Sequence, residues 1–160
     1  MIGKDDLKSI RETFGRAISL DTMQGFCFHK PHGYPGDFEI IDKIYQNAFK
    51  FRTKERYRLI WTAGIFDYFD DDTFVRLLER YLCFLDEDRE LVIGNFSPNN
   101  PTRNYMEIVG DWYLNHRSAD RLISLAKACG VDPKNIRIGQ EPEGVNLFLH
   151  IKAGKKFQVY

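Results

Sequence analysis

The chain has 160 residues, a formal net charge of zero, 43% apolar residues and 14% aromatics. That is the length of one domain, with enough apolar material for roughly two-thirds of the unfolded surface to be buried. The charge balance excludes a strong basic field, and so non-specific nucleic-acid binding, and no apolar run is long enough for a membrane span. No secretory signal is read at the amino end, and Cys27, Cys83 and Cys129 lack metal-ligand spacing. Reduced thiols in a cytoplasmic protein are therefore expected.

Asp5 and Asp6 open a predicted packing helix with Leu7, Ile10, Phe14 and Ile18 near helical spacing. Residues 23–38, MQGFCFHKPHGYPGDF, carry two prolines and three glycines, which break regular structure. A second helix is predicted from about Asp37, with Ile40, Ile41, Ile44, Tyr45 and Ala48 on its inner face. Phe49 to Arg58 reads as a charged connection. Tyr57 to Ala63, YRLIWTA, is a β-prone run ended by Gly64. After the loop FDYFDD, Asp72 is the expected cap of a helix burying Phe74, Leu77, Leu78, Tyr81, Leu82 and Leu85. Asp86, Glu87 and Asp88 then make a turn.

The central stretch is ELVIGNFSPNNPTRNY, Glu90 to Tyr105. Leu91, Val92 and Ile93 suit a strand buried on both faces, with Gly94 as its end. Asn100 before Pro101 pairs an N-cap with the favoured first helical position. The helix so begun places Tyr105, Ile108, Val109 and Trp112 on one face, and Asn115, His116 and Arg117 interrupt it. Ser118 caps a further helix, with Asp120 in its first turn and Leu122, Ile123, Leu125 and Ala126 buried, stopping at Gly130. Asp132-Pro133 marks a turn. Ile136 to Gln140 and Asn146 to Ile151 read as two strands joined by EPEGV in a hairpin.

In an open α/β sheet, ligands bind where loops leave the carboxyl ends of the strands. Asn95, Ser97, Asn99 and Arg103 would then face a cleft, although capping alone explains this pattern equally well. Arg103 and Arg117 have the guanidinium geometry for a carboxylate, and equally read as surface arginines. Ser97 lacks the glycine pattern of a hydrolase nucleophile elbow. His29, His32 and Asp37 leave a third metal ligand unconstrained, and no further His/Cys cluster follows, so no metal is expected.

The segments HKPHGYPGDFEIID (29–42), LIWTAGIFDYFDDDTF (59–74) and VIGNFSPNNPTRNYMEIVGDWYLNHR (92–117) carry a family likeness. The chain resembles the C-terminal half of a class I S-adenosylmethionine-dependent methyltransferase, of the bacterial extracellular-factor (3-hydroxypalmitic acid methyl ester) biosynthesis type. The resemblance implies an α/β fold: a partial Rossmann-like sheet of about four strands, its last hairpin antiparallel, preceded by N-terminal helices. Residues 1–56 would be a helical segment with the His/Tyr/Pro/Gly-rich loop, and 57–160 the methyltransferase-like half. It implies S-adenosylmethionine as cofactor and a small-molecule acceptor, a carboxylate or hydroxyl of a fatty-acyl compound. His32, Tyr34 and Asp37 would form a lid. Gly64, Asp67 and Tyr68 would lie beside the transferred methyl group, with Asp67 and Tyr68 as catalytic candidates; locally, 67–72 also reads as a solvated turn and cap.

The family pattern includes a Gly-rich turn after the first strand, where the cofactor's methionine end approaches the backbone, and an acidic residue after the second strand for the ribose hydroxyls; neither is read in this sequence. No G-x-G occurs anywhere, and too few residues separate Tyr45 from Tyr57 for three βα units of ~30 residues each. The chain reads as a family member without its first three strands. The strand at Tyr57–Ala63 would then have a bare edge, so a homo-oligomer joined along it, or cover from 26–34, is expected. The rival from another class is a noncatalytic interaction module.

Overall fold

Tyr57–Thr62 (β2) forms the parallel centre of the fold, flanked by Ala17–Ser19 (β1) on one side and Leu85–Phe96 (β3) on the other. The computed structural model describes residues 54, 56–154 and 157, and the backbone of 17–19. The hairpin of Ile136–Gln140 (β4) and Asn146–Lys152 (β5) completes a five-stranded sheet in the order β1-β2-β3-β5-β4, with β5 antiparallel to both neighbours. Four of these strands and the antiparallel hairpin match the expected partial methyltransferase sheet. The segments expected as helices around 7–14 and 37–48, and the loop carrying His32, Tyr34 and Asp37, lie outside the described residues.

Two expectations are overturned at β1. The first predicted helix was to run through Ile18, but Ala17–Ser19 is a strand. Pairing along a sheet edge satisfies its backbone and overrides helical spacing. The edge of β2 is consequently not bare: Ala17–Ser19 pairs with Leu59–Trp61, which removes the template for a second copy over those residues.

One face of the sheet is covered by Asp71–Leu82 (α1) and Ala119–Ala128 (α3). Helix α1 starts two residues earlier than expected, because Asp70 rather than Asp72 is its cap, with its side chain accepting from Thr73 N at 2.8 Å. Phe74, Leu77, Leu78, Tyr81 and Leu82 follow the helical period and are fully buried. Ser118 caps α3 as expected, and Leu122, Leu125 and Ala126 are its buried face. Phe66 meets Phe74 and Tyr81 edge-on, with ring centroids 4.7 and 5.9 Å apart.

Strand β3 runs past Gly94 to Phe96. Gly94 does not end it; a Cβ there would stand 2.8 Å from Ala63 O, so the glycine permits close approach to the end of β2. Nor do residues 86–88 form a simple turn. The register with β2 slips between Tyr57 and Leu59, and Asp88 takes a left-handed φ of 59° inside the strand, pinned by its N–H to Ala153 O at 3.1 Å.

The end of β3 is locked by Arg117, which is 4% exposed. Its Nε donates to Asp71 Oδ1 at 2.8 Å, Nη1 to Phe66 O at 3.1 Å and Asn95 Oδ1 at 2.9 Å, and Nη2 to Phe69 O. The guanidinium carbon lies 4.8 Å from the centre of the Phe74 ring. Asp71 also takes Arg121. Burial pushes the Asp71 carboxyl up, but the hydrogen bonds from Arg117 and Arg121 outweigh it and hold it below its ordinary value of 3.8.

Replacing Arg117 with Leu strands Asn95 Oδ1 and the turn carbonyls, and denaturant unfolding is expected to show a loss of about 3–5 kcal/mol; Arg117→Lys, lacking the fork, recovers only part. A depressed carboxyl contributes stability above its unfolded value that is lost as pH falls through the folded one. Stability measured against pH should therefore drop below the ordinary carboxylate range, and Asp71→Asn should flatten that drop. Among the described residues the buried Tyr81 hydroxyl has no hydrogen-bond partner, and burial pushes its phenol well above the usual range. Tyr81→Phe should thus raise stability by up to about 1 kcal/mol in the same assay.

Candidate functional site

The carboxyl ends of β2 and β3 are bridged by the irregular segment 111–118. Asn115 N donates to Asp67 O at 2.7 Å and Asn115 Nδ2 to Phe69 O at 3.1 Å, while Arg117 N donates to Phe96 O at 2.9 Å. This strap therefore crosses the 3-10 turn Ile65–Tyr68 that follows β2. It meets the end of β3 through Asn95, whose Nδ2 donates to Asn115 O at 2.9 Å and to Phe96 O at 3.0 Å.

The residues expected to line a cleft divide into two groups. Asp67, Asn95 and Ser97 are at most 2% exposed and are turned into the fold. Asp67 Oδ1 accepts from Phe96 N at 2.9 Å, which couples the turn after β2 to the last residue of β3. Ser97 Oγ donates to Gly144 O at 2.6 Å and accepts from Asn99 N at 3.1 Å, tying the strand end to the hairpin turn. Arg117, weighed as a carboxylate partner, is the buried guanidinium already described. Asn99, Arg103 and Tyr68 are exposed, with Arg103 Nε donating to Glu107 Oε1 at 2.7 Å along its helix. Gly64 is half-buried and leads into the turn.

The helix after β3 also differs from expectation. Asn100 is buried and caps a turn rather than the helix: its Oδ1 accepts from Thr102 N at 3.0 Å and Thr102 Oγ1 at 2.7 Å. The helix proper is short, Arg103–Ile108 (α2), and Met106 is its only buried residue. The face expected to pack is instead in solvent, with Tyr105, Ile108 and Val109 at 68%, 83% and 66% exposed and Tyr113 also exposed. Six residues give less than two turns, too little to turn an apolar stripe onto the sheet while the strap occupies the strand ends. Of the large exposed apolar side chains among the described residues, the fifth is Tyr68, whose hydroxyl accepts from Trp112 Nε1 at 2.9 Å.

His116 was not singled out. Its Nε2 lies 3.3 Å from Asn100 Nδ2 and its Nδ1 3.1 Å from Leu114 O. The Asn100 amide must donate there because its oxygen is taken by Thr102, so the neutral ring carries its proton on Nδ1. Asn115, His116 and Arg117 read in the sequence only as a helix break. The usable signal was three consecutive hydrogen-bonding side chains directly after the buried Leu114.

Chemically, the strand ends offer a rigid floor made by Asp67, Asn95 and Arg117 and a rim of Tyr68, Trp112 and α2. Among the described residues no group of three His, Cys, Asp or Glu side chains could hold a metal, and no helix is long and apolar enough to cross a membrane. Asp67, the carboxylate at these strand ends, is committed to Phe96 N and does not present to a ribose.

No protein-family model matches the sequence, and no curated protein matches it. Solved structures do. A possible exported protein from Bordetella parapertussis superposes with a TM-score of 0.55 at 15% identity, covering 69% of this chain and 43% of that one. The S-adenosylmethionine-dependent methyltransferase SibL, in its apo form, gives 0.54 at 8% identity over 68% of this chain and 34% of its own. A proposed O-methyltransferase from Nostoc punctiforme PCC 73102 gives 0.53 at 16% identity over 66% and 34%. The match thus spans less than half the length of each of these structures. Sheet order, the antiparallel final hairpin and these superpositions agree that the chain carries a partial Rossmann-like methyltransferase fold.

Proposed function

We propose that this chain acts in S-adenosylmethionine-dependent methyl transfer to a carboxylate or hydroxyl of a fatty-acyl-type small molecule. The fold supports the reaction class. The observation that carries the acceptor is the rim: Tyr68 held by Trp112, with Tyr105, Ile108, Val109 and Tyr113 exposed in the adjoining stretch. Exposed aliphatic and aromatic surface beside a strand-end site suits an apolar acceptor.

Bound S-adenosylmethionine would supply an electrophilic methyl group on its sulfonium. The protein then has to align the acceptor oxygen and keep water away. In this reading the Tyr68 hydroxyl orients the acceptor, Gly64 leaves room beside it, and Asn99 and Arg103 border the opening. Asp67, Asn95 and Ser97 keep that floor in place from within. His32, Tyr34 and Asp37 would close the site as a lid, and residues 57–160 would be the methyltransferase-like half. The rival noncatalytic module draws on the inward commitment of Asp67 and on the absence of any G-x-G in the sequence.

Calorimetry with S-adenosylhomocysteine decides between the two: saturable binding is expected, and none at millimolar ligand would establish the noncatalytic module. With a long-chain 3-hydroxy acid as acceptor, Tyr68→Phe should lower the transfer rate about tenfold while leaving S-adenosylhomocysteine affinity unchanged, the cost of one orienting hydrogen bond.

A further inference from the structure

The face of the sheet opposite α1 and α3 carries a second feature. Register places Glu90 and Lys152 side by side on it, and His150 beside Arg137. Around them is a cavity of about 320 Å³, lined by five cationic side chains, Arg58, Arg89, Lys134, Arg137 and Lys152, against two carboxylates, Asp88 and Glu90. Lys134 is offset by Asp132, whose Oδ2 lies 3.0 Å from its Nζ, which leaves a surplus of two positive charges in a chain whose net charge is zero.

Much of the wall is fixed. Glu90 Oε1 is 2.7 Å from His150 Nδ1 and 3.6 Å from Arg137 Nη2, so the central carboxylate is already matched. Gly139 makes room for this arrangement, since a Cβ there would come within 3.3 Å of His150 Nε2. The left-handed Asp88 and the two backbone bonds to Ala153 hold the bulge that brings Arg89 to the rim. By contrast Arg58, Arg89 and Lys152 make no ion pair among the described residues, and Arg58 Nε is buried without any hydrogen-bond partner. Arg58 as a residue is only half-buried and lines the cavity, so its terminal guanidinium nitrogens are the ones a ligand there would meet.

We propose that this cavity binds a small, soluble diphosphate or phosphorylated compound. Guanidinium and ammonium groups converging from β2, the β3 bulge and β5 match phosphate oxygens, arginine in bidentate fashion. A nucleic-acid strand would need aromatic platforms for its bases, and a membrane surface would need apolar side chains at the rim; the lining holds neither beyond Ile136. The site is separate from the strand-end site. Glu90 and Phe96 stand six residues apart on β3, about 20 Å along the strand, so its occupancy does not depend on the methyl-transfer reading.

The test is calorimetric titration of the full chain with sodium pyrophosphate at constant ionic strength in chloride. Saturable binding with one site is expected, weakened about tenfold by Lys152→Ala and again by Arg89→Ala, while Arg58→Lys retains more affinity than Arg58→Ala. Lys152 is exposed, and unchanged circular dichroism of its variant separates lost binding from lost folding. Three results would each overturn the proposal: no saturable heat with pyrophosphate, an unchanged affinity in the Arg89→Ala/Lys152→Ala pair, or tighter capture of single-stranded oligonucleotide or of phosphatidylglycerol vesicles than of pyrophosphate.

Discussion

A single buried guanidinium holds the functional end of this fold together. Arg117 reaches the start of α1 at Asp71, the turn carbonyls of Phe66 and Phe69, and the last turn inward of β3 at Asn95, and it lies over the Phe74 ring. Only arginine offers a rigid planar fork with five donors, so no other side chain could meet four acceptors from three elements at once. An unpaired guanidinium at this depth would be very costly. The surrounding groups are therefore constrained together: moving the turn after β2 or the end of β3 would orphan some of these bonds.

That constraint explains why polar side chains crowd the strand ends without all facing a ligand. Asp67 and Asn95 sit where a strand-end site would place reacting groups, yet both are spent on backbone and on Arg117. What they produce is a stiff floor. The side chains that the floor carries outward include Tyr68, whose hydroxyl accepts from Trp112 Nε1 on the strap. Under the proposed methyl transfer, a rigid floor and an exposed rim are complementary demands, because alignment to within an ångström or so governs transfer rates.

Local pattern revealed most of the framework. Alternating or continuous apolar runs at β2 and β5, the 3.6-residue stripe of α1, and the Ser118 cap of α3 are all decided by short-range chemistry, and they appear where that chemistry puts them. Failures arose where a distant partner decides. Gly94 looks like a strand end until the backbone of Ala63 is beside it. Asn100 looks like a helix cap, but Thr102 and the strap claim its side chain. Asp70 and Asp72 are equally good caps in isolation, and the buried stripe beginning at Phe74 selects Asp70. Arg117 was legible as a cation and not as a buried one, since nothing in a neighbouring residue announces that four acceptors from 66, 69, 71 and 95 will converge on it.

The two faces of the sheet share one strand rule and reach opposite ends by it. Along β3 and β5, Leu91, Ile93, Leu149 and Ile151 point to α1 and α3 and are buried. Their alternates form a small apolar patch of Leu59, Val92, Trp61 and Phe148 nearer the strand ends. His150 pairs with Val92 and with Arg137, and one pleat further back the alternates are Glu90 and Lys152. Here Arg137 and Lys152 are exposed, and Glu90 and His150 are half-buried. The switch coincides with the bulge at Asp88, the one place where β3 departs from its register with β2. Backbone irregularity and unpaired cations meet at that point, which is how sheets commonly mark a site that binds something rather than a face that packs.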